Sequence, residues 1–256
     1  MRALHTITIL ISSLTTMAQL QPVKSGVYSW AKLPVKAGED RESRQLMEGT
    51  STHLDYLEIH ATTQFKGAKP STAHANDDIE ECIIVKDGTL KATIEGQSTI
   101  LGVGGVILLM PRQMHSIENI GDGNLTYYVI RYRSKKKMEI ERGQMSGGTL
   151  TLNRDSLKFT PTVKGGARKY FDRPTAMCER FEMHTTTLDK KGESHAPHSH
   201  IETEIILVIS GDTEMTIDGK EYAGTTGDLY LMESGLMHGV RNAADKPCSY
   251  FAFKWK

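Results

Sequence analysis

Residues 192–211 read GESHAPHSHIETEIILVISG, a stretch that combines clustered histidines with an apolar run. His195, His198 and His200 fall within six positions of a chain that has 10 histidines, and Glu204 follows them. The apolar residues after Glu204 predict a strand. Because His198, His200 and Glu204 share parity, a strand that begins near His198 would direct all three toward one face. The stretch therefore predicts metal-ligating side chains at a strand, with a polar loop as the alternative.

His238 is a fourth candidate ligand. It follows the segment GDLYLMESGLM, where an antiparallel neighbour could bring it opposite the other three side chains. Imidazole and carboxylate donors suit iron, manganese, nickel, copper or zinc better than calcium or magnesium. Four mutually consistent spacings favour a metal site over four unrelated surface residues. His195 is either a neighbour of the ligands or an exposed loop residue, and the sequence does not decide between these.

The sequence repeats itself once. LEIHATT at 57–63 recurs as FEMHTTT at 181–187, and the aligned pairs Glu81/Glu204, Gly88/Gly211, Gly96/Gly219, His115/His238 and Asn119/Asn242 share a constant offset. Two copies of one domain follow from this. Each copy reads as short strands separated by turns, including an Asp-Gly hairpin signal in TEMTIDGK at 213–220. The sequence therefore predicts an all-β fold built from sandwiches or barrels.

The C-terminal copy resembles a cupin. The first cupin motif is matched at every fixed position, by Gly192, His198, His200, Glu204 and Gly211. The second motif is matched by Gly227, Gly235, His238 and Asn242, although Glu233 stands where proline is usual. The resemblance implies two tandem jelly-roll β-barrels and one divalent transition metal (Fe, Mn, Ni, Cu or Zn). It assigns the metal ligands as His198, His200, Glu204 and His238.

The N-terminal copy departs from the same pattern. Its His-x-His pair reads His74-Ala75-Asn76, and the stretch between Pro111 and His115 is one residue short. His74, Glu81 and His115 could form a second metal site, but the loss of one imidazole weakens a mixed site. We therefore expect a barrel kept for structure and pairing, with the second site left open.

Glu182 and His184 are the candidate catalytic residues. If their strand turns them inward, they would approach the metal and act as acid or base. Glu58 and His60 hold the same positions in the copy that lacks a full ligand set, which favours a structural or interface role instead. Both interpretations are open at this point.

The repeat and the composition divide the chain into five segments. These are a signal peptide (1–18), an N-terminal extension (19–51), an N-terminal cupin with a degenerate metal motif (52–133), a linker (134–169) and a C-terminal metal-binding cupin (170–256). The signal peptide is predicted from Arg2, the apolar run after it and small residues before a cleavage site at Ala18. It implies export to a periplasm or the medium. The run is too short to span a bilayer comfortably.

The charge balance and the predicted metal site limit the classes of function that we expect. Lys plus Arg and Asp plus Glu both number 31, which gives no basic footprint for nucleic acid. Because an open mixed site leaves room for substrate, we expect a metal-dependent enzyme. The resemblance implies a dioxygenase, isomerase, decarboxylase or hydrolase that acts on a small polar, sugar-derived or phenolic molecule. The alternative is a bicupin that binds a small ligand, such as a carbohydrate, without catalysis. Apolar strand faces also predict a homo-oligomer.

Overall fold

The computed structural model describes residues 19–256, so the predicted signal peptide lies outside the described residues. In chain order the strands up to residue 134 are β1 (Gly26–Tyr28), β2 (Val35–Ala37), β3 (Arg41–Gly49), β4 (Leu54–Gln64), β5 (Glu80–Asp87), β6 (Leu90–Ile94), β7 (Gln97–Leu101), β8 (Val106–Leu109), β9 (His115–Asn119) and β10 (Leu125–Ser134). Next come helix α1 (Ile140–Met145) and strands β11 (Leu150–Leu152), β12 (Thr160–Thr162), β13 (Gly165–Arg173), β14 (Phe181–Leu188), β15 (Gly192–Glu193), β16 (Thr203–Ser210), β17 (Thr213–Ile217), β18 (Lys220–Gly224), β19 (Leu229–Met232), β20 (His238–Asn242) and β21 (Cys248–Trp255).

The strands form two barrels, each a large sheet packed on a small one. In the N-terminal barrel the large sheet has the order β11-β8-β5-β10-β4-β3-β2 and the small sheet the order β7-β6-β9. In the C-terminal barrel the orders are β1-β19-β16-β21-β14-β13-β12 and β15-β20-β17-β18. The predicted fold class, all-β with two tandem jelly-roll barrels, is confirmed.

The apolar runs are explained by burial on both faces of the large sheets. Alternate residues of β5 and β16 point into their own barrel, where Ile83 and Ile206 lie in separate interior cores. The other residues point outward into one core that both barrels share, which includes Leu57, Phe181 and Trp255. A strand buried on both faces is apolar throughout rather than alternating. The apolar outer face of each large sheet is thus covered within the chain by the other barrel.

The tight turns follow the predicted chemistry. Asp218 and Gly219 connect β17 to β18 with φ of 47° and 76°, both in the left-handed region that a two-residue hairpin of this type needs. Glu95 and Gly96 repeat this turn between β6 and β7. The Asp-Gly hairpin signal is confirmed.

The two barrels exchange strands. β1, from the segment predicted as an N-terminal extension, pairs with β19 of the C-terminal barrel. β11, from the predicted linker, pairs with β8 of the N-terminal barrel. Strands β2 and β3 also extend the N-terminal barrel's sheet from before residue 52. The sheets therefore draw on both connecting segments, and the two repeats are interlocked.

Among the described residues, we find no helix of the length and apolarity that a membrane crossing requires.

Candidate metal centre

The four predicted metal ligands converge at one end of the C-terminal barrel. Glu204 lies on β16 and His238 is the first residue of β20, while His198 and His200 lie in the loop before β16. The prediction that one strand carries His198, His200 and Glu204 is wrong, because β16 begins only at Thr203. The loop is instead held by backbone hydrogen bonds, His198 to His238 in both directions and from Gly235 to the carbonyl of His200.

Donor atoms of the four side chains lie within 4.8 Å of one another. One carboxylate oxygen, Glu204 Oε2, is 2.8 Å from His200 Nε2 and 3.1 Å from His238 Nε2. The His198 ring centroid lies 4.7 Å from that of His238 and 5.3 Å from that of His200. The four side chains therefore form a single tight cluster.

The backbone orients two of the rings. His238 Nδ1 lies 2.8 Å from the carbonyl oxygen of Leu236, and His200 Nδ1 lies 3.1 Å from that of Glu202. A ring whose Nδ1–H donates to a carbonyl offers its Nε2 lone pair to a metal. Both Nε2 atoms point to Glu204, which is the geometry that a shared metal requires.

The protonation states in the cluster are shifted by burial and by contact. Burial opposes ionisation of Glu204, but hydrogen bonds with His200 and His238 outweigh it and hold its pKa well below the usual range. Burial is also the largest influence on His198 and lowers its pKa, with His238 and His195 adding to the effect. For His238 burial acts in the same downward direction, yet the hydrogen bond to Glu204 prevails and raises its pKa. Glu204 is thus an anion and His198 a neutral imidazole near neutral pH.

The cluster fits a divalent transition metal. Three imidazoles and one carboxylate are donors that such metals accept. Among residues 19–256, no group forms a hydrogen bond with the buried His198 Nδ1, which leaves a polar atom whose neighbours do not satisfy it. The donor set and this orphaned nitrogen together support a metal site.

A cavity of about 90 Å³ opens beside the cluster. Its lining includes three of the candidate ligands, polar or charged side chains and several apolar ones: His198, Glu204, His238, His184, His195, Thr186, Ser194, Tyr250, Lys254, Ile206, Met215, Val240 and Ala252. Tyr250 donates its hydroxyl proton to Ser194 Oγ at 2.9 Å, and burial raises the pKa of Tyr250 to about 12, so its phenol stays neutral. A cavity of this size holds a few water molecules or the reacting end of a small substrate.

The two candidate catalytic residues occupy different places. His184 lines the cavity, whereas Glu182 is not part of the lining. Glu182 is 3.3 Å from His184 Nδ1, 3.5 Å from Lys254 Nζ and 2.6 Å from Arg180. The hydrogen bond with His184 is the main cause that lowers the pKa of Glu182 to about 2, against the opposing effect of burial. Glu182 is therefore an anion that contacts His184 and Lys254 of the cavity wall and also Arg180, which is not part of the lining.

The N-terminal barrel contains the corresponding cluster of His74, Glu81 and His115. His115 Nε2 is 3.0 Å from Glu81 Oε2, and Asn76 Nδ2 donates to the same oxygen at 2.8 Å. The guanidinium of Arg131 donates to Asn76 Oδ1 at 2.9 Å and lies 3.4 Å from Glu81 Oε1. Here a protein cation and an amide surround the carboxylate.

The sequence profile of the cupin domain family matches residues 63–131 and 185–254, which is more than half of the chain. The chain belongs to the cupin family. Two matches in tandem make it a bicupin, and the resemblance seen in the sequence is confirmed. Among curated proteins, none matches the sequence significantly.

Solved structures with the same fold are distant in sequence. Protein Ylba from E. coli has 16% identity and a TM-score of 0.71, with 90% of each chain covered. AerE from Microcystis aeruginosa has 13% identity and a TM-score of 0.66, with 87% of this chain and 96% of that chain covered. A formate complex of oxalate decarboxylase from Lactobacillus farciminis has 14% identity and a TM-score of 0.68, with 91% and 86% covered. These likenesses show the bicupin fold.

Reasoning from the sequence did not identify two basic residues that lie near the ligand clusters. Arg131 and Lys254 lie at equivalent places on β10 and β21, opposite Glu81 and Glu204 in the registers. The alternation of aromatic and other residues in these segments was a usable signal, because it places Arg131 and Lys254 on one face of their strands. Only the strand pairing shows that this face meets the carboxylates.

Two other polar residues near the motif, Tyr230 and Glu233, are not part of the cavity lining. Tyr230 is fully buried and its hydroxyl lies 3.0 Å from Thr213 Oγ1. Glu233, at the position where cupins usually have proline, accepts a hydrogen bond from the backbone N–H of Thr52 at 2.9 Å. Neither is placed to exchange a proton with a molecule in the cavity.

Proposed function

We propose that this bicupin is a metal-dependent enzyme that acts on a small anionic molecule, with a carboxylate as its substrate class and decarboxylation as its reaction type. The observation that carries the proposal is the small cavity bounded by three of the candidate ligands together with His184 and Lys254. The fold likeness to an oxalate decarboxylase in complex with formate supports the choice of a carboxylate.

A divalent transition metal held by His198, His200, Glu204 and His238 would supply an electrophile that polarises a substrate oxygen. The Lys254 ammonium attracts an anion into the cavity, and Glu182 keeps the lysine in place at 3.5 Å. His184 lies on the cavity wall with Glu182 3.3 Å from its Nδ1, so its other ring nitrogen is free to hold or transfer a proton. We assign His184 to proton transfer and Glu182 to orienting it.

We propose one metal for each chain. In the N-terminal barrel an amide replaces the second imidazole, and the Arg131 guanidinium supplies positive charge beside Glu81. A fixed guanidinium repels a divalent cation at this short range. The N-terminal cluster then has a structural role, as a hydrogen-bonded network without a metal.

The test measures binding and turnover with Mn²⁺-loaded protein and a panel of carboxylates of two to six carbons, beside neutral sugars of similar size. We expect a carboxylate to bind and to release CO₂. Lys254→Met should weaken its binding about tenfold, a difference of about 1.4 kcal/mol, while metal content stays unchanged. His184→Asn should abolish turnover with binding retained. Tighter binding of neutral sugars would contradict the proposal, and carboxylate binding without turnover would support a ligand-binding bicupin instead.

We also propose that the protein is exported and that it self-associates. The apolar run after Arg2 supports secretion, which N-terminal sequencing of the protein from the periplasm or medium would test by a start at residue 19. Because each barrel already covers the other's large sheet, a homo-oligomer would have to use other surfaces. Light scattering of the purified chain would test that.

A further inference from the structure

The loops that carry the candidate ligands are tied to a turn of the other barrel. His53 Nε2 lies 2.8 Å from the carbonyl oxygen of Ile201, the residue directly after His200. Thr52 donates from its backbone N–H to Glu233 at 2.9 Å, and its hydroxyl donates to the same carboxylate. Glu233 begins the turn that leads to His238. One short turn thus contacts both loops.

The turn itself is firmly held by the N-terminal barrel. Ser51 donates its backbone N–H to the carbonyl of Leu54 at 2.9 Å, and Lys135 donates to the carbonyl of His53 at 3.1 Å. Leu54 is 1% exposed and belongs to the core that the two barrels share. A fixed turn on a rigid core can set the position of the loops that rest on it.

An equivalent turn of the C-terminal repeat contacts the N-terminal barrel. Residues Thr175, Ala176 and Met177 of the C-terminal repeat, which align with residues 51–53, hold a carboxylate of the N-terminal barrel. The Thr175 hydroxyl donates to Glu80 at 2.6 Å, and the backbone N–H groups of Ala176 and Met177 donate to it at 2.9 and 3.2 Å. Glu80 directly precedes Glu81. Each repeat therefore sends an equivalent turn to the ligand region of the other, which is a feature of the architecture and not an isolated surface contact.

We propose that Thr52 and His53 are positioning residues for the metal centre of the C-terminal barrel. This inference rests on the proposed function. Through Ile201 and Glu233 they fix the loops of His200 and His238, so the N-terminal barrel sets the geometry and affinity of a metal site in which it has no ligand.

The test uses the full chain and Co²⁺ alone, with affinity measured by competition with a chelator and geometry by the visible absorption of the bound ion. Thr52→Val with His53→Ala removes the hydroxyl and the ring contact, and should weaken Co²⁺ affinity about tenfold and change the spectrum. Thr52→Ser with His53→Gln keeps both donors and should restore wild-type values. Thr93→Val is the matched control, because the Thr93 hydroxyl lies 3.0 Å from that of Ser98, within the N-terminal barrel.

Wild-type affinity and spectrum in the Thr52→Val/His53→Ala variant would overturn the inference. His53→Ala alone serves the same purpose should the double variant not fold. If the wild-type chain binds no Co²⁺, the proposed function fails together with the inference, whereas Co²⁺ binding that is equal in all variants removes the inference only.

Discussion

The two barrels share the backbone arrangement of the ligand cluster but place different side chains in it. Both place a glutamate and a histidine in direct contact, Glu81 with His115 and Glu204 with His238. In the C-terminal barrel His200 completes the contact with the carboxylate, and in the N-terminal barrel Asn76 takes that place. The shared fold therefore does not determine which side chains surround the glutamate.

The two clusters also differ in the basic residue on the last strand of each repeat, Arg131 on β10 and Lys254 on β21. The planar guanidinium of Arg131 reaches Asn76, Glu81 and Glu58 at once, at 2.9, 3.4 and 3.4 Å. Lys254 pairs with Glu182 and stays on the cavity wall. Arginine presents several donors in a fixed fork, whereas lysine is a single mobile charge. Two positions thus distinguish a cluster in which an amide and a guanidinium lie against the carboxylate from one in which two imidazoles do.

The largest expected effect comes from removing one ligand in each barrel. His238→Ala should weaken metal affinity by at least about 100-fold, since even changes around the ligands cost 10–100-fold. His115→Ala, the equivalent change in the N-terminal barrel, should leave metal content unchanged. Elemental analysis after dialysis measures both. Equal losses in the two variants would mean that both clusters hold metal.

The N-terminal cluster can be changed to match the C-terminal one. Asn76→His with Arg131→Lys rebuilds the C-terminal pattern in the N-terminal barrel and should add about one further equivalent of metal. Asn76→His alone is the control and should add little, because Arg131 still lies beside Glu81. Titration with Co²⁺ counts the sites. A second equivalent in the single variant would show that Arg131 does not oppose the metal.

The smallest expected effect is a change of stability with pH that comes from the two Glu-x-His pairs, Glu182 with His184 and Glu58 with His60. The folded-state pKa of Glu182 is lowered to about 2, mainly by the hydrogen bond with His184. Glutamate in an unfolded chain has a pKa of about 4.3, so this contribution to stability is present above that pH and is lost as pH falls toward about 2. The difference in unfolding free energy between wild type and Glu182→Gln should therefore shrink from pH 6 to pH 2, measured by urea denaturation of metal-free protein.

Glu58→Gln is the matched variant for this pH dependence. For Glu58 burial is the largest influence and opposes the lowering by His60, although its pKa is still lowered. We expect the same sign with a smaller amplitude. A difference that grows toward acid pH in either variant would contradict the assigned ionisation states.

The sequence predicted the parts of the site that depend on local pattern. The motif spacing identified four side chains that cluster in the structure, and the Asp218-Gly219 signal located a hairpin. It misplaced the start of β16, because parity suggested a strand at His198 whereas the histidines lie in a loop held by His238 and Gly235. The contact between Thr52 and Glu233 joins residues 181 positions apart, and a pairing of that range leaves no local signature.

The metal stoichiometry of the wild-type chain tests the central claim most directly. Purified protein is stripped with a chelator and titrated with Mn²⁺ or Co²⁺ at neutral pH, and the bound equivalents are counted. One equivalent for each chain, lost in His238→Ala and kept in His115→Ala, is the result that we predict. Two equivalents would contradict the role of Asn76 and Arg131, and none would contradict the metal centre itself.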